Sequence, residues 1–265
     1  MRSIRILIFA SLISSCQDLS EQESKVFIKE AVESIELSNK NQEISFLDQY
    51  QIHTNIWGQL EEGESLPLVG LDTFSVNHQR RIAWKWDIQN RDQSKIVAYP
   101  EIIYGWKPWM PNSTSVSLPQ PLSNIQTISS SYDLESKAQG HYNLAYDLWI
   151  TNQKNAEVEH ITAEIMIWQS WESLRPLGKK LNTIDTPFGT YEFWKGKTSD
   201  DWDYFAFRSL KAQWEANLEI KWFTDFLIKN QHLQPDDFLA SVEFGNEISS
   251  GVGQTIIHSF NIEVQ

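Results

Sequence analysis

A single cysteine, Cys16, stands in the 265-residue chain, so no internal disulfide can staple it. Basic side chains are also scarce: 22 Lys and Arg against 35 Asp and Glu give a formal charge of -13. A field of that sign repels nucleic acid and acidic polymers and leaves a neutral partner compatible. The six histidines show no ligand spacing, so no metal and no cofactor are expected. No internal repeat is visible. The apolar run from Ile6 to Ile13 is too short to span a membrane.

That run is preceded by Arg2 and Arg5 and followed by Ser14, Ser15 and Cys16. The order is that of a signal peptide over residues 1 to 15, with small residues before a cysteine as in bacterial lipoprotein processing. The expected product is secreted across the inner membrane, begins at an acylated Cys16 and is lipid-anchored at the cell envelope. Its 250 residues carry -15, because the leader removes two arginines and no acid. Residues 16 to 45 are acidic, lack Gly and Pro, and carry only a weak helical pattern through Val26, Ile28, Val32 and Ile35. They read as a tether, in part helical.

From Phe46 the chain turns into short aromatic and β-branched runs broken by polar or Gly/Pro clusters, which predicts one large all-β domain over residues 46 to 265, a sandwich or barrel. One helix is expected near 218–229, where Leu218, Trp222, Phe223, Phe226 and Leu227 recur at three- and four-residue spacing behind Asn217 as a cap. Twelve tryptophans exceed the needs of such a core, and indole faces are good platforms for sugar rings. Trp84, Trp109, Trp202, Trp214 and Trp222 read as core or rim, and Trp106 as either core or cleft.

Two strands, YNLAYDLWI (142–150) and ITAEIMIW (161–168), flank the polar stretch 151–160. A symmetric hairpin about its centre pairs residues whose numbers sum to 311, which sets Asp147 opposite Glu164 with Cβ atoms about 5 Å apart. Alternation puts Glu164, Met166 and Trp168 on one face and Ile165 and Ile167 on the other. Two readings fit: a coupled carboxyl pair in a site, where one pKa rises, or two solvated carboxylates on an outer face.

The strings themselves carry more. AEIMIW (163–168) resembles the nucleophile strand of glycoside hydrolase family 12, and YNLAYDLW its neighbour. LDQYQIHTNIWG (47–58) resembles that family's opening strand, VAYPEIIYGWKPW (97–109) a segment common in its bacterial members, and DFLASVEFGNE (237–247) the strand that presents its acid/base. RPLG (175–178) is similar to its loop over the aglycone side. The resemblance implies a jelly-roll sandwich of two antiparallel sheets with a concave cleft and one short helix. It implies endo-acting, retaining hydrolysis of a neutral polysaccharide, a β-1,4-glucan, mixed-linkage glucan or xyloglucan. Apart from the resemblance, a monomer that meets a membrane only through its lipid is expected.

On the matching positions Glu164 is the implied nucleophile, Glu247 the acid/base and Asp147 a partner of Glu164. Asn55 and Trp57 are the implied glycone contacts, and Asn143, Met166 and Trp168 the floor near the cleaved bond. Ile248 and Ser249 depart from the Pro and aromatic residue usual after the acid/base, and Leu47 stands where a cysteine often does. Retention asks for carboxyls about 5 Å apart, one ionised and one protonated; the charges of Glu164 and Asp147 raise the pKa of Glu247 in the required sense. Glu243 reads as a solvated strand residue. The alternatives are a glycan-binding surface lipoprotein without catalysis and a xylanase on the same fold.

Overall fold

The computed structural model describes residues 12–57 and 61–265, and side chains from residue 21 onward. Most of the expected leader, residues 1–11, and the side chain of Cys16 lie outside the described residues. The elements are α1 (Leu12–Glu33), β1 (Glu43–Phe46), β2 (Tyr50–His53), β3 (Leu68–Val76), β4 (Gln79–Ile88), β5 (Glu101–Gly105), β6 (Gln120–Pro121) and β7 (Ile128–Thr151). They continue with β8 (Ile161–Glu172), β9 (Lys179–Thr186), β10 (Gly189–Lys197), β11 (Asp203–Ser209), β12 (Glu215–Glu219), α2 (Lys221–Lys229), β13 (Phe238–Gly245) and β14 (Ile248–Val264). Among the described residues no helix is long and apolar enough to cross a membrane.

One bent ribbon organises the two layers. β13 pairs with residues 145–151 of β7, and β14 continues the same antiparallel partnership down to Ile128, so chain 238–264 runs the whole length of β7. The ribbon is broken only at Asn246 and Glu247. Its C-terminal half of β7 joins the sheet β1-β2-β5-β13-β7-β8-β11-β10-β9; its N-terminal half joins β3-β4-β14-β7-β12. The bend falls at the paired Gly140 and Gly251, both at positive φ (127° and 117°), where the backbones approach so closely that a Cβ on Gly140 would lie 2.4 Å from the Ser250 carbonyl oxygen.

Period-two alternation sorts the inner sheet. Leu144, Tyr146, Leu148 and Ile150 of β7 and Ile165 and Ile167 of β8 enter the main core between the sheets, while Met166, Trp168 and Ala145 cluster on the opposite face with Trp194 and Tyr204. In β13 a register shift between Leu239 and Ser241 resets this parity, so that Val242 and Phe244 pack in the core and Ser241 and Glu243 face the other way.

The helix α2 is shorter than expected: residues 215–219 pair as β12 against β7 instead, and Ile220, not Asn217, is the cap. The pull of the ladder on Leu218, opposite Ser130, outweighs the helical spacing. Phe223 and Leu227 then bury against Tyr191, Phe193 and Phe207. Trp222 is half-buried and stacks on Phe226, whereas Trp214 is 40 % exposed and not core.

The stretch expected as a tether is helical through Glu33 and is docked. Val32 and Ile35 are buried with Ala83 and Ile256, Phe27 meets Phe74 edge to face, and Ser38 and Val69 exchange backbone hydrogen bonds at 3.1 and 2.9 Å. Gly70 permits this approach, since a Cβ there would lie 2.1 Å from the Glu36 carbonyl oxygen. Gly70→Ala is expected to lift residues 34–42 off β3 at a cost of about 1–3 kcal/mol. Limited proteolysis should then cut that segment faster while the sandwich itself stays resistant.

Candidate active site

Two bulges decide how β7 faces β8. The ladder opens with Thr151 opposite Ile161, gains one residue at Thr162, and continues with Ile150 opposite Ala163, Trp149 opposite Glu164 and Asp147 opposite Met166. The paired numbers thus sum to 313 beyond the bulge, not 311. Asp147 is a diagonal and not a direct neighbour of Glu164. Because a slip of two keeps side-chain parity, both carboxyls still share one face of adjacent antiparallel strands.

That face floors a cavity of about 560 Å³ lined by Asp147, Glu164 and Glu247 together with Trp57, Trp109 and Trp202. The two readings left open by the sequence are thereby decided: Asp147 is buried, and the pair lies in a cleft and not on a solvated outer face. Glu247 sits at the break in the ribbon and is clamped by Asn143. The Asn143 amide donates to Glu247 Oε2 at 2.5 Å, the backbone N–H of Glu247 donates to Asn143 Oδ1 at 3.1 Å, and the Asn143 N–H returns to the Glu247 carbonyl at 3.0 Å. Asn246 beside it donates to the Asn143 carbonyl and accepts from Trp84 Nε1 and Thr255 Oγ1, each at 2.8 Å. Trp84 is therefore core, as expected, but its indole N–H serves this loop. Ile248 anchors the next step, exchanging backbone bonds with Val97 and Ala98.

Glu164 accepts from Trp202 Nε1 at 3.3 Å. Trp202, read as core from the sequence, belongs to the cleft, and so does Trp109, 52 % exposed; with Trp149 between them they form an edge-to-face row at 4.8 and 5.7 Å. Trp106 packs beneath that row and donates to the Met110 carbonyl. Asn55 and Trp57 line the cavity as expected. Asn143, Met166 and Trp168 do not: all three are buried, Asn143 holding Glu247, and the Met166 sulfur receiving Tyr204 Oη at 3.2 Å and Trp168 Nε1 at 3.4 Å. They support the floor from below.

Glu243 corrects the reading of a solvated residue most sharply. It is fully buried, Cα-paired with Asp147, and bonded through Oε2 to Lys107 Nζ at 2.7 Å. Lys107 also meets both oxygens of the buried Glu101 at 2.9 and 3.0 Å, and Glu101 accepts from Asn55 Nδ2 at 2.7 Å. The parity shift in β13 is what turns Glu243 away from the intersheet core and onto the cleft side, where Lys107 meets it. Burial alone would depress the Lys107 ammonium, but Glu101 and Glu243 outweigh it and raise its pKa.

Burial pushes Asp147 well above the carboxylate range, with the Glu164 charge adding to it, and its buried Oδ1 has no hydrogen-bond partner among the described residues. Burial likewise lifts Glu164 to about 8, helped by Glu247, and Glu247 to about 7 against the pull of the Asn143 amide. The charge of Glu247 opposes ionisation of Glu164, so the two carboxyls do not titrate independently.

The model of the family described as "Glycosyl hydrolase family 12" matches residues 48–265. The chain belongs to that family. Family 12 relatives include Endoglucanase S of Pectobacterium parmentieri, 30 % identical over 226 residues that cover 82 % of this chain and 83 % of the relative. A xyloglucan-specific endo-β-1,4-glucanase A of Emericella nidulans is 21 % identical over 220 residues, 80 % of this chain and 84 % of that one. The solved family 12 xyloglucanase of Bacillus licheniformis superposes with a TM-score of 0.76 at 28 % identity, over 84 % of this chain and 97 % of its own. Family 12 membership makes the protein a glycoside hydrolase with the jelly-roll sandwich expected of it, and removes the purely binding alternative.

The raised carboxyl pKa values carry a cost in stability. A carboxyl whose folded pKa lies above its unfolded value holds protons more tightly when folded, so stability falls as pH rises from about 5 through about 8. Glu164→Gln removes that dependence in part. Its Tm should exceed that of the wild type by about 2–4 °C per kcal/mol relieved at pH 8 and converge with it near pH 4.5, as read by calorimetry.

Proposed function

We propose that this protein is a retaining, endo-acting β-1,4-glucan hydrolase that works by double displacement, with Glu164 as nucleophile and Glu247 as general acid/base. The observation that carries the reading is the convergence of these two carboxyls on one tryptophan-lined cavity, each held by a different donor. Sugar rings stack on the indoles of Trp57, Trp109 and Trp202, and the edge-to-face row fixes where they stack. Glu164 attacks the anomeric carbon as the proton on Glu247 passes to the leaving oxygen; Glu247 then takes a proton from water as the glycosyl ester breaks.

The reaction needs Glu247 protonated and Glu164 ionised, the reverse of the order that burial alone sets. Trp202 donates its indole N–H to Glu164 and favours its ionised form. Asn143 occupies Oε2 of Glu247 and leaves Oε1 for the proton. The substrate class, β-1,4-glucan or xyloglucan, follows the names of the family 12 relatives. The retaining separation, about 5 Å, leaves no room for a water between the carboxyls and the sugar.

Glu164→Ala is expected to abolish hydrolysis of every β-glucan, a loss of at least about 10³-fold in kcat. Glu247→Ala should lose far less on an activated aryl glycoside, which departs with little protonation, and azide should partly restore its turnover. Equal losses on natural and activated substrates without azide rescue would sink the assignment of Glu247. A panel of xyloglucan, barley glucan, carboxymethyl cellulose and xylan ranks the substrates in the same assay.

We also propose that the enzyme is a secreted monomer, lipid-anchored at the cell envelope through Cys16. Cys16 after Ser14 and Ser15 at the end of the apolar run supports this. Intact-mass analysis of the mature protein should find an acylated cysteine, and Cys16→Ala should release a soluble enzyme of unchanged kcat. A wild-type protein that is soluble and unacylated would refute the anchor.

A further inference from the structure

Lys107 is the one lysine that reaches the cleft among the described residues, and it has no role in the double displacement. An ammonium has three N–H donors. Lys107 directs them at three carboxylate oxygens, two on Glu101 and one on Glu243, all within 3.0 Å, and its side chain is 9 % exposed. No donor is left for a sugar hydroxyl. Both carboxyls are fully buried, and each leads onward: Glu101 to Asn55 on the cavity wall, Glu243 across the β13–β7 ladder to Asp147, whose strand faces Glu164.

We propose that Lys107 is a positioning residue for the reaction: bound between Glu101 and Glu243 beneath the cleft, it fixes the charge and place of the carboxyls behind the Glu164–Glu247 pair and ties Asn55 to the same network. The proposal rests on the assignment of Glu164 and Glu247 above. The charged and titratable groups around the pair are Asp147 on β7, Glu243 on β13, Tyr99 just before β5, Glu101 on β5, Lys107 after β5, Asp200 before β11 and Tyr204 on β11. Lys107 is the only cation in that set. Its charge favours ionised Glu164, Glu247 and Asp147, whereas that of Glu243 opposes ionisation of Glu164 and Asp147. Glu101 is pushed well above the carboxylate range by burial, with Lys107 pulling it back, and the one ammonium serves both buried carboxyls.

Opposite charges on one frame give opposite shifts. The experiment is the pH profile of kcat/KM on an aryl cellobioside for Lys107→Met, Glu243→Gln and the double variant, each with its Tm. Lys107→Met should move the acid limb to higher pH and lower kcat about 10-fold or more with little change in KM. Glu243→Gln should move the same limb to lower pH, and the double variant should return it toward the wild-type position, because the two lost charges cancel. Should Lys107→Met fail to fold through its uncompensated Glu243, the Glu243→Gln and double profiles still decide the matter. Limbs that stay at the wild-type pH in folded variants, or a Lys107→Met variant changed in KM alone, would overturn the proposal. A Glu164→Ala enzyme that retains activity would instead remove the assignment on which it rests, and the two failures are read from different variants.

Discussion

Like charge confined in a dry place is the constraint that shapes this molecule. Five carboxyl groups, Glu101, Asp147, Glu164, Glu243 and Glu247, lie on or just behind one face of a sheet that has Lys107 as its nearby cation. Such a group resists full ionisation in low dielectric, so burial lifts Glu101, Asp147, Glu164 and Glu247 above the ordinary carboxylate range. A sheet suited to the task needs strands that are apolar on one side and polar on the other, which the alternation in β7, β8 and β13 supplies. The polar side is then affordable only where tryptophans cover it, and Trp109, Trp149 and Trp202 do so while leaving a groove a ribbon of sugar can enter.

How much of this could be seen in the sequence depended on separation along the chain. The parity of Asp147 and Glu164 was legible because it depends on period two and a short connection, and even a register wrong by two preserved it. The bulge at Thr162 was not legible: nothing in its identity marks an extra residue in the ladder. The motif strings located Glu164, Glu247, Asn55 and Trp57 in one cavity, yet placed Asn143, Met166 and Trp168 on its surface when they lie beneath it. Residue type and face identify a layer, and depth within the layer is set by neighbours from β11 and β10.

The Lys107–Glu243 contact joins residues 136 apart, and Glu243 sits on a strand whose alternation is broken by a shift at Ala240. A glutamate between Val242 and Phe244 reads as facing solvent, because a bare carboxylate in the interior is costly and its partner Lys107 is far away in sequence. The amino-terminal stretch misled for a related reason. Its helical pattern is weak over its whole length, but only Phe27, Ile28, Val32 and Ile35 pack apolar side chains on the sandwich, and four residues are too few to show against an acidic background.

The break in the ribbon links the place of Glu247 to architecture. Glu247 has no strand of its own to hold it; its place comes from Asn143 on one side and, through Asn246, from Trp84 and Thr255 on the other. Those last two belong to β4 and β14, in the layer away from the cleft. Loosening that outer layer would therefore shift Glu247 while the other residues that line the groove keep their places. A substitution that tightens β4 or β14 around Trp84 and Thr255 would accordingly hold Glu247 in place from strands that do not line the cavity.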